Sequence, residues 1–301
     1  MKGCARTCIL WLLGWAAASY AFYRYFTSLG NLGEGLWWAT GGAGLATMLV
    51  ISYLYGIVDI ARERSILLDS ISGTPLQDGK WVAVSGRIHS MHRLTAPLSG
   101  ENVVAFKYAI SRREGSGKSS TVVQHFEGKA LIPSTIATRT GSVKLLSVPT
   151  FDMPAEKLDI TRAIENAQSY VAATQFESNE TPKSERAGTV EKESTDDDGN
   201  FRVDSRSKNA FDVPIDSCDF EERHIKQNEE ICAFGIYSQQ RNGLIPHPNW
   251  ARQTRIMRGS AESVAAQLRT RMIKYAFGVV IFAAVVWGVV KLCQMNAVPF
   301  E

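Results

Sequence analysis

Cysteine is scarce and scattered in this chain. Its five, Cys4, Cys8, Cys218, Cys232 and Cys293, lie far apart, and three of them fall in or beside apolar runs. That distribution excludes a disulfide framework and a zinc site. An excess of one charge is lacking too, since a formal net charge of +3 is too small to imply nucleic acid as a partner. Catalytic signatures are missing as well: no Gly-x-Ser-x-Gly elbow occurs, and no Cys/His pair is spaced as a nucleophile and its base. Gly115-Ser116-Gly117-Lys118-Ser119 is similar to the end of a phosphate-binding loop, but Arg112 stands where that motif needs its first glycine. The segment also sits between two predicted strands, where no helix dipole converges on phosphate. It reads as a hairpin turn, and no cofactor is expected.

What the chain has in abundance is apolar sequence, gathered in three runs. The first, 8–23, follows Lys2 and Arg6. Bulky Phe22 and Tyr23 come directly after the small residues at which a signal peptide would be cleaved, so an uncleaved helix is expected. The second, 36–60, is long enough to span a bilayer with some tilt, and the short link 27–35 makes the pair a helical hairpin. Gly41, Gly42, Ala43 and Gly44 form a small-residue patch through which helices could approach closely, either within the chain or in a homo-oligomer. The third, 275–293, carries no charge between Ala276 and Val290. Nine Phe, Ile or Val residues in that stretch together favour insertion by roughly 3–5 kcal/mol. Three spans are therefore expected, with the lipid bilayer as a partner. Lys2, Arg6, Arg62, Arg64 and the group Arg252, Arg255, Arg258, Arg269, Arg271 and Lys274 outweigh Arg24 and Lys291. The positive-inside rule then puts the N-terminus and the region before the third run in the cytoplasm.

Between the second and third runs, 78–108 organises the chain. Asp78-Gly79 supplies a turn, Val82, Val84 and Ile88 alternate, and Val104, Phe106, Tyr108 and Ile110 alternate again. Strands are predicted over 81–89, 103–112, 121–133 and 143–148 with no intervening helix. The expected fold class is an α+β membrane protein: three transmembrane helices plus a small antiparallel, OB-like β-barrel with packed helices. One such helix is predicted over 155–176, where Ile160, Ile164, Ala167 and Val171 share a face and Pro154 stands at the start. Residues 177–200 hold eight acidic and three basic side chains, too polar to order themselves, so 177–208 reads as a disordered acidic insertion. Its Asp196-Asp197-Asp198 run lacks the ligand spacing of a calcium loop. A strand at 229–237, a turn at Gln240–Gly243 and a short partner at Leu244-Ile245 complete the domain. Residues 261–272 form an amphipathic helix, with Val264, Leu268 and Met272 on one side and Arg269, Arg271 and Lys274 suited to anionic headgroups. The expected division is 1–64, 65–259 and 260–301.

The runs DGKWVAVSGRI, TAPLSGENVVAFKYAI and EEICAFGIYSQQRNGLI, read together, resemble the GIDE family. Its members are membrane-anchored MULAN/MAPL ubiquitin ligases and their prokaryotic relatives, which share a "beside-a-membrane" domain. Asp78, Gly79, Gly86, Pro97, Leu98, Ser99, Gly100, Tyr108 and Gly235 match that pattern, over roughly 74–245 without the insertion. The resemblance implies an interaction or sensing module; with three anchors and no catalytic constellation, the expected role is a non-enzymatic binding module of a bacterial inner membrane, with a protein partner. It does not carry ligase activity, because the eukaryotic ligases place a zinc-binding RING after the last helix, and 294–301 contain neither Cys nor His.

Few residues offer chemistry. Arg87, His89, His92 and Arg93 form a basic cluster suited to an anionic ligand or a lipid headgroup. His89, His92 and His125 would be the ligands of a metal-assisted hydrolase, the alternative reading, but no acidic or cysteine partner stands at metal spacing. No catalytic residue and no metal ligand is therefore assigned.

Overall fold

Alternating apolar residues become strands in this protein, and uniform apolar runs become helices. The computed structural model describes residues 2–29, 35–115, 120–139, 141–146, 149–178, 201–207, 210, 213–245 and 254–296. The α-helices are α1 (Lys2–Leu29), α2 (Gly35–Ile71), α3 (Ile160–Ala173) and α4 (Ala261–Asn296). The strands are β1 (Trp81–Ser90), β2 (Leu94–Thr95), β3 (Asn102–Val103), β4 (Ala105–Glu114), β5 (Thr121–Leu131), β6 (Ser134–Thr138) and β7 (Gly141–Leu145). They continue as β8 (Thr150–Phe151), β9 (Glu177–Ser178), β10 (Phe201–Arg206), β11 (Asp219–Ile225), β12 (Glu230–Ser238), β13 (Gly243–Ile245) and β14 (Arg255–Arg258). The chain packs as two units, Met1–Ser65 with Ala266–Glu301, and Ile66–Ala265.

The first unit is helical. Gly44 of α2 lies against α1, where a Cβ would come within 2.2 Å of Ser19 Oγ. The Trp15 indole N–H donates to Gly41 O at 3.2 Å. Tyr53 of α2 stacks on Phe282 of α4 at 5.7 Å, and Phe26, Ala43 and Cys293 share a small buried cluster. Two helices are long and apolar enough to cross a membrane, Trp37–Ile71 and Ala261–Met295. Only 22% and 6% of their apolar windows are buried, so they present apolar surface outward, as the core helix of a soluble domain does not. The amphipathic helix and third run expected separately are one continuous helix, α4. The first run lies within α1, a helix of 28 residues.

The second unit holds two sheets. In the first, β1 pairs with β6, β6 with β7, β7 with β13, β13 with β12, and β12 again with β1. That ring is a closed five-stranded barrel, which removes free edges wherever its pairings are complete. The expectation of a wholly antiparallel barrel is corrected, because β7–β13 and β8–β14 are parallel. These pairs are joined by long stretches of chain rather than by hairpins, so no tight turn imposes the antiparallel direction. Val84, Ile88, Ile136, Val143, Ile231, Ala233 and Leu244 fill the interior. At Gly86 an added Cβ would lie 1.9 Å from Ala137 O, so only glycine permits β1 and β6 to approach there.

The second sheet runs β11-β4-β5-β10-β9. Phe106, Tyr108, Ile110 and Phe126 project from it onto Ala167 and Val171 of α3. The start of α3 is set by Asp159 rather than Pro154, the side chain of Asp159 accepting from Thr161 N–H at 3.1 Å. The insertion read as disordered over 177–208 is corrected at both ends. Glu177–Ser178 and Phe201–Arg206 are strands, held because β10 pairs with β5 along its whole length. Residues 179–200, 208–209 and 116–119 lie outside the described residues.

Candidate functional site

A cleft of about 390 Å³ opens on the barrel wall of the second unit. Its floor is β1 from Ala83 to Arg87, with His89 beyond. Ile71 and Leu76, at and after the end of α2, form one side, and Arg139 with Glu262 another. β1 positions Arg87 and His89 simply by alternation: Ile88 between them is fully buried, so both neighbours point outward. Arg87 faces Glu230 across the β1–β12 ladder. Arg139 and Glu262, both largely exposed, approach to 3.8 Å. Arg87 and His89 make no ion pair among the described residues, so this wall keeps a cation and an imidazole available to a ligand.

The structure separates the rest of the predicted cluster from this wall. His92 and Arg93 are exposed on the loop after β1 and do not line the cleft. That loop is pinned, Gln227 accepting from Ser90 N–H at 3.1 Å and donating to Ser90 O at 2.9 Å. His125 stands in the other sheet, 2% exposed, with Nδ1 at 3.3 Å from Ser207 Oγ and Nε2 at 3.3 Å from Glu114. The three histidines are thus not brought together, and no group of three or more His, Cys, Asp or Glu among the described residues is placed to hold a metal ion.

The residues of the family pattern lie at turns and close approaches. Asp78 Oδ1 accepts from Gln239 N–H at 2.7 Å, and Gly79, at φ +69°, donates to Tyr237 O at 2.9 Å. Pro97, Leu98, Ser99 and Gly100 form a turn closed by Gly100 N–H to Ala96 O at 3.0 Å. At Gly235 a Cβ would stand 3.3 Å from Leu244 and Thr254. Tyr108 donates to Asp204 Oδ1 at 2.8 Å, as does Tyr170 of α3, while Arg202 Nε reaches Asp204 Oδ2 at 2.6 Å. Burial, then the charge on Asp204, pushes both phenols up, Tyr108 far above its ordinary value. Neither ionises near neutrality, so both act as hydrogen-bond donors.

Sequence reasoning missed a further network. Glu222 of β11, fully buried, accepts from Leu98 N–H at 2.7 Å and Ser99 N–H at 3.3 Å, and its other oxygen lies 3.1 Å from His224 Nδ1. Burial pushes this carboxyl up, but hydrogen bonds from His224, Ser99 and Leu98 outweigh that and hold it below the usual carboxylate range. An ionised Glu222 only accepts, so His224 carries its proton on Nδ1. His224 Nε2 lies 3.1 Å from Glu101, an ion-pair contact without hydrogen-bond alignment, and Glu101 also pairs with Lys226 at 2.5 Å. Arg258 donates to Glu156 at 2.6 Å and to His224 O at 2.7 Å, and it pairs with Glu229. The one signal available beforehand was Glu222-x-His224, two polar residues at alternate positions of a strand.

The first unit has its own groove, of about 1020 Å³, lined by Trp11, Trp15, Trp37, Trp38, Gly41 and Gly42 among others. A Cβ added at Gly41 or Gly42 would meet nothing within 4 Å. No family model, curated protein or solved structure matches this chain.

Proposed function

We propose that this chain is a membrane-anchored, non-enzymatic interaction or sensing module, resembling the beside-a-membrane domain of the GIDE family. The reading is carried by one contrast within the second unit. Glu222, Asp204 and Arg258 are committed to holding turns and strands together, whereas Arg87 and His89 present themselves on an open cleft without ion-pair partners among the described residues. A scaffold that uses Glu222, Asp204 and Arg258 to hold its own turns and strands, with polar groups spare on a concave wall, suits recognition better than bond-making. Three spans anchor it, α1 joining the two helices long and apolar enough to cross. The basic residues around the second and third spans support a cytoplasmic second unit, and the membrane of this reading is a bacterial inner membrane.

The test is native mass spectrometry of protein gently extracted from its own membrane. A protein co-extracted at fixed stoichiometry, and lost from the Arg87→Glu variant, is the expected result. A chain that comes out bare under every gentle condition overturns the reading. A second reading, assembly of copies through α2, is favoured by the open space at Gly41 and Gly42. It expects Gly42→Leu to break a homo-oligomer, and an unchanged particle size counts against it.

A further inference from the structure

Charge is unevenly spread around the barrel. β1, β6 and β7 are neighbours in the ring, and Ile88, Ile136 and Val143 point to its interior. Alternate positions therefore look outward: Arg87 and His89 on β1, Thr135 and Ala137 on β6, Ser142 and Lys144 on β7. Register arranges them in rows. His89 stands opposite Thr135 and Thr135 opposite Lys144, while Arg87 stands opposite Ala137 and Ala137 opposite Ser142. Arg139 follows β6 with its side chain 85% exposed, and Arg93 is exposed on the loop after β1. Every charged residue in 81–93 and 134–145 is basic. Among the described residues, acids meet this wall along one edge, where Glu230 stands opposite Arg87 and Glu262 approaches Arg139. Lys144, two strands from Arg87, and Arg93, past the end of β1, make no ion pair among the described residues.

We propose that this wall rests on the anionic phospholipid headgroups of the membrane that anchors the chain. The inference takes from the reading above only the membrane anchorage, and it stands apart from the protein partner. A lipid surface fits because the cations do not converge on one point. They are spread over β1, β7 and the segments that follow β1 and β6, which matches many separate phosphates better than one small anion. His89 and Lys144, in one row and two strands apart, are separated by roughly 10 Å, about one Debye length at moderate ionic strength. The wall therefore presents one combined field to a charged surface. Small and hydroxyl side chains between the cations, Thr135, Ala137 and Ser142, leave no bulky group to hold that surface away. Connectivity favours lipid over a free acidic protein. The second unit continues at both ends into a helix long and apolar enough to cross a membrane. That tether keeps a bilayer at high effective concentration, so a few weak contacts suffice, whereas a separate protein must bind on affinity alone. Arg87 and Arg139 border the cleft as well as the wall, but Lys144, Ser142 and Arg93 belong to the wall alone.

The test places the full chain in nanodiscs of phosphatidylcholine, alone or with about one third phosphatidylglycerol. An environment-sensitive fluorophore is attached at Ser142→Cys, in a background with the native cysteines replaced by serine. Val122→Cys, 58% exposed on the other sheet, carries the same label as a control. The Ser142 label is expected to brighten about twofold in the anionic discs and to return to its neutral-disc signal in molar salt. The Val122 label should not respond. Lys144→Glu combined with Arg93→Glu changes two exposed side chains and should abolish the difference between the discs. Equal signals in both kinds of disc, or a Val122 response as large as that of Ser142, overturn the proposal. So does a response that survives the double charge reversal. Polyglutamate that brightens the label equally in neutral discs would make the wall a site for acidic protein instead, and would also overturn it. A partner co-extracted with a chain that shows no lipid response leaves the interaction reading standing and removes this one. A lipid response without any co-extracted partner does the reverse.

Discussion

Glu222 sits with no solvent exposure beneath the Pro97–Gly100 turn, and three groups donate to or pair with its two oxygens. Its carboxyl titrates below the ordinary value of 4.5 in the folded chain, and Glu101 does too, chiefly through its hydrogen bond with Lys226. A folded-state pKa below the unfolded one adds stability that is complete above the unfolded value and is lost as pH falls through the folded one. The thermal stability of the full chain in detergent should therefore fall on acidification below about pH 4.5. Glu222→Gln should lower stability at neutral pH by about 2 kcal/mol and flatten that acid dependence. A variant that melts like the parent at pH 7 would show that the turn is held by Asn166, which donates to Leu98 O at 2.9 Å, and by its own Gly100 bond. At Asp204, where two phenols share one oxygen, Tyr108→Phe removes one donor and should cost about 1 kcal/mol in the same melts. Little of this was legible beforehand. Glu222, His224 and Asp204 lie in charge-rich strands whose inward faces are polar, so composition alone marks them as solvated.

Strands were read well where one face is apolar, as in β1, β4 and β12, and poorly where they depend on a distant partner. β10 carries Arg202, Asp204 and Arg206 and is a strand because β5 pairs with all six of its residues along one edge, a fact no local pattern contains. β14 buries both Ile256 and Met257, so it shows no alternation for a local pattern to catch. The parallel closure through β7 and β13 is equally invisible, being a contact between segments a hundred positions apart. The cleft inherits the same division. Arg87 and His89 were singled out as a basic cluster, but Ile71, Arg139 and Glu262, which complete the cleft, come from distant segments and could not be. Closure makes its own prediction: Gly86→Ala puts a methyl 1.9 Å from Ala137 O, a backbone atom that cannot rotate aside. It should cost about 3 kcal/mol or more and separate β1 from β6, seen as a lowered Tm with faster amide exchange at Ile88 and Ile136. At α3, Asp159→Ala removes a cap and should cost only about 1 kcal/mol.

At the scale of the whole molecule, α2 and α4 bracket the second unit in sequence, and each is long and apolar enough to cross a bilayer. If both cross, Met91 and Met295 lie on opposite sides, since α4 runs between the second unit and Met295. The basic residues preceding the third span, Arg269, Arg271 and Lys274, are the ones the positive-inside rule retains in the cytoplasm. Met91 is 98% exposed and Met295 is 80% exposed, so a cysteine at either place is reachable by a reagent on its own side. In a background with the five native cysteines replaced by serine, an impermeant maleimide should label Met295→Cys in intact cells. Met91→Cys should label only after the cells are opened. Labelling of Met91→Cys alone in intact cells would place the second unit outside and reverse the orientation. Protection of both until opening would instead mean that α4 returns to its own side, which a helix with 6% of its apolar window buried could do only by lying along the membrane surface.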